Sequence, residues 1–85
     1  MTKTTEILEN AYIHYQASMR AFDDMTNCEN EGDKEMAHIF CATCEEQSGY
    51  ARGLLKAYEI LTGKSLYEWE IKNELEQIAD MECVA

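Results

Sequence analysis

The chain has no proline and only four glycines in 85 residues. Sheet proteins of this size need more turn residues, so the deficit points to helices. Cationic side chains are scarce: seven Lys and Arg stand against seventeen Asp and Glu, a net charge of −10. A nucleic-acid binder must neutralise phosphates, so this balance disfavours direct binding and favours a basic protein partner. No apolar run approaches membrane-spanning length, which sets membranes aside as well. The opening MTKTTEILENAY lacks the apolar segment of a secretory leader. A cytoplasmic protein with reduced cysteines is expected. There is no Gly-rich phosphate loop and no nucleophile elbow, so neither an enzyme nor a cofactor is expected.

What is present is helical periodicity. A single helical domain over residues 1–85 is expected, with helices at about 5–30, 33–62 and 66–83. In the first, Leu8, Ala11, Tyr15, Met19, Phe22 and Met25 form the expected packed stripe. Gly32 suits a left-handed cap, and Asp33 caps the second helix. That helix turns Met36, Phe40, Thr43, Gln47, Tyr50, Ala51, Leu54, Tyr58 and Leu61 inward. Its glycines Gly49 and Gly53 weaken it or admit another backbone. Gly63 ends it. Ser65-Leu66-Tyr67-Glu68 reads as a capping box opening the third helix. There Tyr67, Ile71, Leu75 and Ile78 face in. The expected fold is an all-α, up-down-up three-helix bundle with helix 2 in the middle. Two long helices and a short one bury little, so a homodimer is expected to complete the core.

The negative charge lies in two blocks. Residues 23–35 carry six acids and Lys34, and residues 68–85 carry six acids and Lys72. The remaining segments are each neutral. An up-down-up bundle brings both blocks toward one end. Asp23, Asp24, Glu29 and Glu31 also oppose the dipole at a helix C-terminus, at about 0.3–1 kcal/mol each. A local rule broken without visible compensation points to function. Asp23, Asp24, Glu29, Glu31, Glu70, Glu74, Glu76 and Asp80 are therefore the expected docking surface for a basic partner, with Trp69 as an anchor off the packed face. A solvated acidic end kept for solubility is the plain alternative. By analogy of class, small phage-type inhibitors of nucleic-acid-handling proteins present acidic, DNA-mimic-like helical surfaces.

The cysteines offer a competing chemistry. Cys41 and Cys44 form a Cys-x-x-Cys, but two turns inside a helix rather than at its N-terminus after a strand, so a redox motif is rejected. Cys41, Cys44, Cys83 and His38 are a ligand set that zinc accepts. Against it, knuckle loops and a second closely spaced ligand pair are missing. Glu35 and His38 form a Glu-x-x-His of the kind used in di-iron bundles, but it occurs once and beside the tip. The run from Asn27 to Gly32 begins like a calcium loop, yet its twelfth position is His38 rather than a glutamate. No metal is favoured, and His38, Cys41 and Cys44 read as ordinary helix residues.

Overall fold

The computed structural model describes residues 3–84, with side chains to Met81. The fold is all-α, with no strand among the described residues. Helix α1 spans Lys3–Asn30 and α2 spans Lys34–Thr62. A single 3₁₀ turn, Glu68–Glu70, leads into α3, Ile71–Val84. No described helix is long and apolar enough to cross a membrane.

The turn between α1 and α2 is built as its residues dictate. Gly32 takes φ +82°, a conformation that costs a glycine no steric penalty. The Asp33 amide donates to the Cys28 carbonyl at 2.8 Å and the Gly32 amide to Glu29 at 3.1 Å. Those two bonds are the Schellman closure of α1. The Asp33 carboxylate then accepts from the Met36 amide at 3.1 Å, capping α2. The two helices run antiparallel from this tip, with His14 of α1 level with Gln47 and Tyr50 of α2.

Small residues zip the hairpin. On α1 the inward line is Thr4, Ile7, Ala11, His14, Ser18, Ala21, Met25 and Cys28, all buried or half-buried. On α2 it is Ala37, Cys41, Cys44, Ser48, Ala51, Leu55 and Tyr58. Both lines advance by alternating three and four residues, the repeat of a left-handed helix pair. Alanine, serine and cysteine let the backbones come close, and the larger apolar side chains are displaced outward. This corrects two expected stripes. Met19 and Phe22 of α1 and Met36, Tyr50 and Leu61 of α2 are exposed, not packed. The α2 seam lies one residue further along than the periodicity alone suggests.

The third helix also departs from expectation. Ser65 does not cap it. Tyr67 does, in extended conformation, and Glu70 reaches back to accept from its amide at 2.9 Å. The reciprocal glutamate of the capping box is thus displaced by two residues. Gly63 ends α2 at φ +74°, and the segment 64–67 runs extended back along it. Five residue steps at about 3.3 Å retrace about 16 Å, the rise of roughly eleven helical residues. Glu68 accordingly meets Arg52 at 3.2 Å and accepts from Ser48. From there α3 turns toward the α2 C-terminal end, since Glu74 meets Lys64 at 2.6 Å. Among the described residues its backbone approaches α1 and not α2. Helix α1, not α2, is therefore the central one, and α3 does not return to the α1–α2 tip.

The core sits at one end. Leu8, Ala11, Leu55, Tyr58 and Ile71 form it, with Leu75 and Ile78 against its edge. Tyr67, expected inside, is exposed. The rest of the hairpin is two helices thick with no third layer. The radius of gyration is 15.5 Å, against about 12 Å for a compact chain of this length.

Candidate functional site

At the tip, Asp23, Glu29, Glu31 and Glu35 are exposed and Asp24 is half-buried. None of them forms an ion pair among the described residues; the three ion pairs there all involve α2 or the segment after it. The α1 C-terminal turn carries no basic side chain, so the unfavourable charge at that helix end stands uncompensated. The field registers on Cys28. Burial pushes its thiol above the ordinary value, and Asp33, Glu31 and Asp24 push it further. Between the helices here lies an open groove of about 440 Å³, lined by Met25, Glu29, Lys34, Ala37, His38 and Cys41.

The acids of the third helix divide into two kinds. Glu70 is engaged with the Tyr67 amide, and Glu74 is buried against Lys64. The hydrogen bond that Lys64 donates to the Glu74 carboxylate is the main reason its ammonium is held above its ordinary pKa. Both glutamates thus have partners within the chain, the Tyr67 amide and the Lys64 ammonium. Glu76 and Asp80 are exposed. Trp69 is 69% exposed and stacks on Tyr67, ring centroids 4.7 Å apart and nearly parallel. Because α3 heads away from the tip, the second acidic block runs from mid-hairpin at Glu68 toward the end opposite the tip. The expected single acidic surface is two separate ones.

The metal set is not gathered. Among the described residues no group of three or more His, Cys, Asp or Glu is placed to hold an ion. Cys28, Cys41 and Cys44 are free thiols. The Cys44 thiol is raised by burial first, then by Cys41, Glu45 and Glu68, which makes it a poorer ligand and nucleophile. His38 and Glu35 are both exposed. The side chain of Cys83 lies outside the described residues. His14, by contrast, is engaged: its Nδ1 lies 2.6 Å from Gln47 Oε1, and its ring tilts against Tyr50 at 5.2 Å. That is a structural role.

A surface that the periodicity assigns to the packed face, and the structure leaves beside it, is the second line along α2. Met36, Phe40, Thr43, Gln47, Tyr50, Leu54, Ala57 and Leu61 repeat in threes and fours, one residue behind the inner seam. The sequence signal was there, merged into one wide apolar arc. No protein-family model, curated protein or solved structure matches the chain.

Proposed function

We propose that the protein is a non-enzymatic helical interaction module of the cytoplasm that docks its acidic tip on a basic protein. In its specific form it is an inhibitor or regulator of a nucleic-acid-handling protein. The tip occupies a cationic channel in DNA-mimic-like fashion, and the chain itself binds no nucleic acid. One observation carries this reading: Asp23, Asp24, Glu29 and Glu31 lie along the last two turns of α1 and its exit with no ion pair among the described residues. Glu29 and Glu31 stand at the last turn of α1 and its exit, where the helix dipole opposes them, an arrangement that solubility alone does not call for. The same reading takes the thin hairpin as closed by a second copy, which leaves a tip at each end of the assembly.

The test is capture of nucleic-acid-binding proteins on the immobilised chain at rising salt. Binding through the tip falls steeply as salt screens it. Reversal of Asp23, Asp24, Glu29 and Glu31 to lysine abolishes capture, while reversal of Glu76 and Asp80 leaves it intact. Capture that ignores salt, or that follows Glu76 and Asp80 instead, refutes docking by the tip.

A further inference from the structure

The outer line of α2 runs beside the α1 seam and is only partly covered within the chain: Gln47 and Tyr50 meet His14 of α1, and Leu54 packs at the core edge. Ser48, Arg52 and Leu55, which meet the 3₁₀ turn and its approach, lie on the opposite side of α2. Helix α3 therefore adds no cover to the outer line. Along it Tyr50 and Leu61 are more than half exposed, and Ile39 and Ile60 beside it are exposed as well.

We infer that this line is the interface of an antiparallel homodimer, in which α2 of one copy lies on α2 of a second across a two-fold axis between Ser48 and Gly49. This rests on the self-association proposed above and specifies where it occurs. Three observations choose a second copy over another occupant.

The first is area. The chain exposes 6079 Å², about 900 Å² more than the roughly 5,200 Å² of a compact monomer of its mass. A standard interface takes about 800 Å² from each partner.

The second is self-complementarity. In an antiparallel helix pair the two core positions of the heptad face each other in layers. Centring the axis between Ser48 and Gly49 sets Met36 opposite Leu61, Phe40 opposite Ala57, Thr43 opposite Leu54 and Gln47 opposite Tyr50. Large meets small in the Phe40 and Thr43 layers, as interdigitation requires. The flanking positions agree. Ile39 faces Ile60, and Glu46, the one charge along this edge, faces Gly53. A Cβ at Gly53 would meet nothing within its own chain.

The third is charge. A parallel pair would set Phe40 on Phe40, leave Ala57 on Ala57 and bring the two acidic tips side by side. The antiparallel pair holds the tips at opposite ends, with α3 on each outer face.

The experiment uses the full chain. Sedimentation equilibrium gives the oligomeric state. The photo-cross-linker p-benzoylphenylalanine in place of Ile39 then reports its neighbour, mapped by mass spectrometry of the dimer band. Residues 39 and 60 of one chain are about 31 Å apart along the helix, so a link between them arises only between copies. The expected result is a dimer whose cross-links fall on residues 57–63. Tyr50→Glu places two uncompensated charges at the centre and is expected to weaken the dimer by more than about 100-fold, with helix content unchanged. A monomer at all concentrations removes both the self-association and this interface. A dimer that cross-links to residues 36–42, to α1 or to α3, that fails to cross-link, or that tolerates Tyr50→Glu, removes the interface alone.

Discussion

Ile71 is the test of whether α3 belongs to the core. It is completely buried, and it is the α3 side chain that enters the cluster of Leu8, Ala11, Leu55 and Tyr58. Ile71→Ala removes three heavy atoms from that cluster. Core substitutions of this kind cost about 2–5 kcal/mol. Helix α3 touches α1 over a short length and can settle, so we expect a value near the lower middle, about 3 kcal/mol. A chain of 85 residues has roughly 4–13 kcal/mol in total, so the loss is a large share. At about 4–8 °C per kcal/mol for a domain of this size, the melting midpoint falls by roughly 12–24 °C. Urea titration followed by circular dichroism at fixed protein concentration gives the free energy. Hydrogen exchange locates it: amides of 71–81 lose protection first, while those of the hairpin between Ala11 and Ala51 keep it. Ile71→Val is the graded control, at about 0.5–1.5 kcal/mol. If Ile71→Ala costs no more than the same change at exposed Met81, the core ends at Tyr58 and the account of α3 is wrong.

Other expectations follow from single contacts. Asp33→Ala removes the α2 cap and should cost about 1 kcal/mol in urea titration, whereas Asp33→Asn keeps an acceptor and should cost much less. The Lys64 ammonium is held above its ordinary pKa, chiefly by its hydrogen bond to Glu74. Its stabilising effect is complete below the unfolded lysine value of about 10.4 and is lost as pH rises through the higher folded value. Melting temperatures should therefore decline above that pH, and Lys64→Met should flatten this part of the curve relative to the parent. Incubation with a chelator should leave the melting temperature unchanged, and a fall would restore His38, Cys41 and Cys44 as ligands.

Much of the helical frame was legible. Gly32, Asp33 and Gly63 have chemistry that acts within a few residues, and each stands where its type is needed. The choice of packed face was less legible because α2 carries two heptad lines offset by one residue. Periodicity finds both and ranks by hydrophobicity, which favours Met36, Phe40, Tyr50 and Leu61. Backbone approach ranks differently and selects Ala37, Cys44, Ser48 and Ala51, whose small side chains let α1 come near. The direction of α3 was not legible at all. It depends on whether 64–67 is a tight turn or an extended return, and Ser65 and Tyr67 are both able to start a helix. Long-range pairs settle it, Arg52 with Glu68 and Lys64 with Glu74, and no local pattern announces them. That one error moved the second acidic block to the wrong end.

The two lines on α2 also supply a sharper test of the dimer than its existence. In the antiparallel alignment Phe40 of one copy meets Ala57 of the other, twice per dimer. Ala57→Phe alone puts two phenylalanines in each of those layers, and overpacking costs about 1–3 kcal/mol per site. Phe40→Ala alone leaves a gap in the same layers. It also strips Phe40 from the half-buried groove it shares with Ala17, Ala21 and Thr43 of its own chain, so part of its cost is intramolecular. The double variant Phe40→Ala with Ala57→Phe restores one large and one small residue to every layer. Dimer dissociation constants should therefore rise for each single variant and recover for the double. In a parallel pair like positions meet, so the double variant has an Ala–Ala layer and a Phe–Phe layer just as the parent does, but each defect of a single variant adds rather than cancels. Recovery well beyond additivity fixes the alignment. Simple additivity of the two effects, with residues in supposed contact showing no coupling, means that Phe40 and Ala57 never meet across the axis.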